Sequence, residues 1–172
     1  MKRRFDPDRI LRELRSSGRE PGRFDIRIDS RGCWYHEGGL IGRIELVRLF
    51  STVLRIDEDG GYWLVTPVEQ GRIEVEDVPF VWVELRRGER DGAPLFELRN
   101  NLDEWVSVDA DRPLRLRELA GGGGTAPYVE WRDGLFGRVD RPVYYELAEL
   151  ALEHDGVFGI FSGGIFHRLG DP

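Results

Sequence analysis

The sequence predicts an α+β fold: a two-part roll in which strand-helix-strand motifs are duplicated around a mostly antiparallel, strand-rich centre. Three observations lead there. Helical patterns at 43–56 and 141–154 each run through an acid-glycine turn into an aromatic strand. The residues opening the first, Gly39-Leu40-Ile41-Gly42-Arg43-Ile44-Glu45, are matched 95 positions on by Gly134-Leu135-Phe136-Gly137-Arg138-Val139-Asp140. Between the copies lie short alternating or wholly apolar runs bounded by Gly, Pro, Asn and Asp, the pattern of strands and tight turns.

The elements follow in order. Asp6-Pro7 predicts a helix N-cap with proline at the first helical position, and Gly18 ends that helix. Its apolar face is Ile10, Leu11 and Leu14, and Glu20-Pro21-Gly22 is a linker. Phe24, Ile26 and Ile28 alternate as in a half-buried strand, and Cys33 to Glu37 is a second strand before the Gly38-Gly39 turn. The helix predicted over 43–56 has Leu46, Leu49, Phe50, Val53 and Leu54 as its apolar stripe. Tyr62 to Thr66 reads as a strand stopped by Pro67, and Arg72 to Glu76 alternates. Phe80-Val81-Trp82-Val83 is apolar on both faces, so it belongs at the centre of a sheet. Strands at 95–98 and 105–108 follow, and Leu114 and Leu116 alternate with Arg115 and Arg117. In the second copy Val143, Leu147, Leu150, Ala151 and His154 share a helical face, which makes His154 a core histidine. The chain ends in a strand containing Ile165-Phe166-His167.

This order divides the chain into an N-terminal helix and linker (1–23), a first α+β half (24–79) and a second, strand-rich half with the repeated motif (80–172). The run Gly121 to Gly124 is the best internal joint, because four glycines offer nothing to pack.

Composition narrows the function classes. Five Trp, five Tyr and nine Phe in 172 residues supply a core, which excludes a disordered chain. No apolar run is long enough to span a membrane. Residues 1–23 hold eight basic groups against four acids, a surplus of four, and the net charge of -7 therefore leaves -11 on the rest. That acidic body argues against nucleic acid as the main ligand. With the single cysteine Cys33 and no apolar signal region after Lys2-Arg3-Arg4, the expected compartment is the cytoplasm.

Several stretches taken together resemble a bacterial family, domain-of-unknown-function family 1285. They are Trp34-Tyr35-His36-Glu37-Gly38, Leu46 to Ser51, Tyr62 to Pro67, Val75-Glu76-Asp77 with Pro79-Phe80, Arg141 to Leu147, and Ser162-Gly163-Gly164. The resemblance covers most of residues 25–170. It implies a two-part α+β roll with repeated motifs and no established activity, although a role in signal transduction has been suggested for the family. The family pattern places Thr before Asn101, where this chain has Asn100.

The catalytic candidates are weak on chemical grounds. His36 and Glu37 are neighbours, which a strand turns to opposite faces. The zinc-protease pattern His-Glu-x-x-His fails at Leu40, and no other His, Cys, Asp or Glu cluster has ligand spacing, so neither metal nor cofactor is expected. Ser162 before Gly163-Gly164 superficially suggests a nucleophile loop, but no base is singled out for it. Cys33 has no evident activating partner and reads as a buried structural thiol. The glycine run lacks the Lys-Ser/Thr ending of a phosphate loop.

There remains a set of polar and aromatic residues at the ends of the repeated elements: His36, Glu37, Arg43, Trp63, Thr66, Glu69, Arg141, Tyr145 and Ser162. The expected function is a non-enzymatic module that binds a small anionic ligand or peptide. Arg43 and Arg141 would clamp a carboxylate or phosphate in a groove between the halves. The alternatives are an enzyme of unrecognised type using His36, Glu37 or Ser162, and a docking adaptor that exposes the Ile10-Leu11-Leu14 face.

Overall fold

Asp6 starts the first helix, α1 (Pro7–Ser16): its carboxylate accepts from the Arg9 amide at 3.0 Å. The computed structural model describes residues 5–18 and 22–170. Lys2, Arg3, Arg4 and Arg19, half of the expected basic segment, and Glu20-Pro21 of the expected linker lie outside the described residues. Leu11 is buried, and with Ile10 and Leu14 it packs against Trp63 and Val65. The apolar face of α1 is therefore occupied within its own unit. The chain forms two units, Met1–Glu76 and Asp77–Pro172.

The first unit continues through β1 (Gly22–Ile28), β2 (Trp34–His36), β3 (Gly39–Leu40), α2 (Ile44–Thr52), β4 (Leu54–Ile56), β5 (Tyr62–Val65) and β6 (Gln70–Val75). Its sheet has the order β3-β2-β1-β6-β5-β4, with only β1 and β6 parallel. The helix expected over 43–56 stops at Thr52, and Leu54 to Ile56 is a strand instead. Pairing with β5 buries Leu54 completely, a gain that a further helical turn would forgo. The expected stripe is also corrected. Val47 and Ser51 face inward, while Leu49 is 61% exposed. Ser51 tolerates burial because its hydroxyl donates to the Arg48 carbonyl at 2.7 Å.

The second unit holds β7 (Phe80–Arg90), β8 (Ala93–Asn100), β9 (Trp105–Val108), β10 (Arg115–Glu118), β11 (Thr125–Arg132), β12 (Leu135–Val139), α3 (Arg141–Glu149), β13 (Leu152–His154), β14 (Val157–Ser162) and β15 (Ile165–Gly170). Six strands form a sheet of order β10-β11-β12-β7-β8-β9, in which only β12 and β7 are parallel. The last three form a small antiparallel sheet. Phe80, Val81 and Trp82 lie buried at the middle of the large sheet. Val143 and Leu147 of α3 and Ile160 and Leu169 of the small sheet share one core with Trp82. The glycine run Gly121–Gly124 closes the β10–β11 hairpin inside this unit. Among the described residues the protein is thus mostly strand, two mixed sheets and a small one with three helices.

The second helix is shorter than its periodicity suggests, ending at Glu149. His154 consequently sits on β13 and is exposed, with its ring 5.1 Å from those of Phe161 and Phe166. The buried histidine is His167.

The order hairpin, nine-residue helix, hairpin recurs in both units, as β2-β3-α2-β4-β5 and β11-β12-α3-β13-β14. The opening turns are alike: Glu37-Gly38 has φ of 49° and 77°, Asp133-Gly134 has 50° and 77°. Both residues of such a turn sit in the left-handed region, which matches strand twist and favours glycine second. Gly38 therefore corresponds to Gly134 and Ile44 to Arg141, which corrects the sequence match of Gly39 with Gly134 by one place at the turn and by two at the helix start. The closing hairpins differ in placement. β4-β5 extends the large sheet of its unit, whereas β13-β14 joins β15 in the separate sheet.

The structure shows a second repeat. Asp29 accepts from the Arg31 and Cys33 amides, Asp57 from Asp59 and Gly61, and Asn100 from Leu102 and Glu104, each at 2.8–3.0 Å. The fourth residue of each turn has positive φ: Gly32 78°, Gly60 81°, Asp103 64°. An aromatic residue, Trp34, Tyr62 or Trp105, follows five places after the capping residue. Asn100 thus fills the same capping role as the two aspartates. Burial raises the Asp57 carboxyl pKa, but hydrogen bonds from the Trp63 indole and the Gly61 and Asp59 amides outweigh it and hold it below its ordinary value.

Candidate functional site

Six of the expected site residues lie in the first unit. His36 ends β2 and Glu37 occupies the left-handed turn after it, both exposed. Arg43 is the N-cap residue of α2, exposed and without an ion pair among the described residues. Trp63 is buried, with its indole N–H donating to Asp57 at 2.8 Å and the Arg72 guanidinium over its ring at 4.9 Å. Thr66 donates its hydroxyl to the Glu69 carbonyl at 2.9 Å and accepts from the Glu69 amide at 3.0 Å, closing the β5–β6 turn.

Ser162, Arg141 and Tyr145 lie in the second unit. Ser162 is fully buried; its hydroxyl donates to the Val108 carbonyl at 2.5 Å and accepts from the Phe96 amide at 2.8 Å. It fastens the small sheet to β8 and β9. His167 reaches the carbonyl of Ser162 at 3.0 Å, not its hydroxyl.

Arg141 and Tyr145 line one cleft of about 560 Å³, wholly within the second unit. It is lined by the end of β12 with Asp140, by the first turns of α3, and by Leu119, Gly123 and Thr125 to Pro127 of the β10–β11 hairpin. Arg138 enters from β12 and is held by Asp77 at 3.4 Å. Asp77 also accepts from the Tyr128 hydroxyl at 2.9 Å and 3.0 Å. Burial, followed by that bond and the charge of Asp77, pushes the Tyr128 pKa up to about 12. Arg138 is therefore a fixed, already neutralised cation.

Arg141 differs. It is exposed, it opens α3, and it has no ion pair among the described residues. A helix N-terminus carries partial positive charge, so a cation there is disfavoured by roughly 0.3–1 kcal/mol. No side chain caps α3, which leaves its first-turn amides open, and Pro142 has no amide to satisfy. Thr125, Tyr144 and Tyr145 add hydroxyl groups. Arg138, Asp140, Tyr144 and Thr125 also line the cleft and are not among the sequence candidates. Arg138 and Asp140 lie inside the repeat match, where repeated spacing points to architecture rather than to a site.

His167 supplies a test of the buried polar network around this unit. The Leu114 amide donates to its Nδ1 at 3.2 Å, so the proton sits on Nε2 and the ring is neutral. Burial lowers its pKa from 6.5, against the opposing bond to Ser162 and the charge of Asp109. Below 6.5 the unfolded chain takes up a proton that the folded ring resists, so stability falls as pH drops from 6.5 towards the folded value. Thermal melts from pH 7 to about pH 5 are expected to show this slope. His167→Gln, which keeps a donor and an acceptor, flattens it; an unchanged slope in the variant refutes the assignment.

Among the described residues no group of three or more His, Cys, Asp or Glu is placed to hold a metal ion, and no helix is long and apolar enough to cross a membrane. Residues 18–78 match the model of the DUF1285 N-terminal domain, and residues 79–169 that of the DUF1285 C-terminal domain, both of unknown function. The chain is similar to the crystal structure of a DUF1285 family protein from Silicibacter pomeroyi. Identity is 35% and TM-score 0.80, over 87% of this chain and 81% of that one. A DUF1285 family protein from Shewanella baltica shares the fold at 23% identity and TM-score 0.57, over 73% of this chain and 91% of that one. No curated protein matches.

Proposed function

The chain belongs to the DUF1285 family, and from that premise and the cleft of its second unit we propose that it is a non-enzymatic module that binds a small anionic ligand. The observation that carries this reading is Arg141, an unpaired guanidinium at the positive end of α3 in a cleft. Its position opposes the helix dipole, and it forms no ion pair among the described residues. An anion in the cleft would meet Arg141, the open amides of α3 and the hydroxyls of Thr125 and the tyrosines. Leu119, Pro127 and Val139 offer an apolar wall for the remainder of the ligand.

The rival readings have less support. An enzyme using Ser162 would need a hydroxyl that already holds two buried hydrogen bonds. An adaptor would need the Ile10-Leu11-Leu14 face, which is packed on Trp63 and Val65. A ligand-holding module without catalytic groups fits a signalling role in the cytoplasm.

Acetate and inorganic phosphate, titrated at millimolar concentration, are expected to shift the amide resonances of residues 123–127 and 138–145. Arg141→Ala weakens both by about tenfold or more, the range of a lost charge-assisted hydrogen bond. Its melting temperature stays close to that of the parent, because no partner is stranded. Shifts confined to other regions, or an Arg141→Ala variant that binds as well as the parent, overturn the proposal.

A further inference from the structure

We infer that the ligand of this cleft is a zwitterion, a neutral amino acid with an apolar side chain, whose amine is received by Asp140. The inference rests on the anion-binding reading of the same cleft. Asp140 stands at the N-cap of α3 with extended backbone, φ -68° and ψ 154°, from which an aspartate ordinarily accepts a first-turn amide. Asp6 does so in α1 at 3.0 Å. Asp140 does not: α3 has no side-chain cap, and the carboxylate accepts no hydrogen bond and pairs with no cation among the described residues. A cap of this kind is worth roughly 1 kcal/mol. Its absence leaves the carboxylate available in the cleft.

The charges in the cleft then balance in a particular way. Arg138 is offset by Asp77. What remains is one free guanidinium, Arg141, and one free carboxylate, Asp140, on consecutive residues lining the same space. A simple anion would meet Arg141 but also the like charge of Asp140. A simple cation would meet Asp140 but also two arginines. A molecule carrying one carboxylate and one ammonium satisfies both, and its net charge of zero matches the site. The apolar share of the lining, Leu119, Pro127, Val139 and the Tyr144 ring, takes an apolar side chain. A volume of about 560 Å³ accommodates a ligand of that size.

Three probes separate the contributions: leucine, 4-methylpentanoate, which lacks the amine, and 3-methylbutylamine, which lacks the carboxylate. Calorimetric titration of the full chain should give leucine the tightest binding, with each truncated analogue weaker by about tenfold. Asp140→Asn should abolish the preference for leucine over 4-methylpentanoate. Arg141→Ala should abolish its preference over 3-methylbutylamine. If leucine and 4-methylpentanoate bind the parent chain equally and Asp140→Asn changes neither, the zwitterion is wrong while the anion-binding reading stands. If 3-methylbutylamine binds as tightly as leucine, both readings fall. If none of the three binds at the cleft, the zwitterion is wrong, and the acetate and phosphate titrations decide the anion reading separately.

Discussion

Trp82→Ala is expected to cost about 3–5 kcal/mol, the range for deleting a fully enclosed aromatic side chain. Trp82 has no exposed surface and lies on β7, between β12 and β8 at the centre of the large sheet of the second unit. Its indole N–H donates to the Val129 carbonyl at 3.2 Å, and its ring belongs to the core shared by α3 and the small sheet. Truncation opens a cavity in that shared core and removes the donor to the Val129 carbonyl. The partner position is Gly137, where an added Cβ would lie 2.6 Å from the indole nitrogen. Gly137→Ala therefore forces either the tryptophan or β12 to move and should be destabilising by about 1–3 kcal/mol through overpacking. Urea denaturation of the full chain, followed by tryptophan fluorescence and independently by far-UV dichroism, measures both. A loss under about 1 kcal/mol for Trp82→Ala would mean that the centre of this unit is not where its stability resides.

Asp57→Ala is expected to cost about 3 kcal/mol, since one carboxylate there satisfies three donors. The Asp59 and Gly61 amides bond to it at 3.0 Å and 2.8 Å, and the buried Trp63 indole N–H at 2.8 Å. Alanine leaves all three without an acceptor, and the indole cannot turn to water. Asp57→Asn should recover part of the loss, because Asn100 shows that a carboxamide can cap this turn. It cannot recover all, since one face of the carboxamide is a donor set against the indole N–H. The pH dependence has a defined sign. With its pKa held below 3.8, Asp57 contributes stability that is complete above 3.8 and lost as pH falls through the folded value. Acid unfolding below that point should be shallower in Asp57→Asn than in the parent. Equal costs for the two substitutions would show that the carboxylate oxygens are not what the turn needs.

Part of the candidate site was legible from residue types. Arg141 and Tyr145 stand where a repeated strand gives way to a helix, and they line the cleft of the second unit rather than a groove shared with Arg43. Trp63, Thr66 and Ser162 stand in similar places, yet each already has bonding partners: Trp63 with Asp57 and Thr66 with Glu69 nearby in the chain, Ser162 with Phe96 and Val108 on distant strands. Polar residues at the ends of strands are both where ligands meet a sheet and where turns need caps, and spacing alone does not separate the two uses. The three buried Asx turns had a signal, an Asp or Asn five places before an aromatic residue, but each copy differs in the residues between.

Elements whose causes lie within a few residues can be read directly from the chain. Asp6-Pro7 starts α1, acid-glycine pairs such as Glu37-Gly38 close hairpins, and the doubly apolar Phe80-Val81-Trp82 lies inside a sheet. Backbone sterics, capping and side-chain hydrophobicity act locally, so a short window contains them. The parallel pairings of β1 with β6 and β12 with β7 join segments separated by most of a unit, so they arise only once the chain is folded. Tertiary structure also decided that Leu54 to Ile56 would be a strand, because burial against β5 outweighs a helical period that runs through it. The free charges of Arg141 and Asp140 belong to the same class. Whether a charged side chain has a partner depends on every element that folds around it, and no stretch of sequence contains that list.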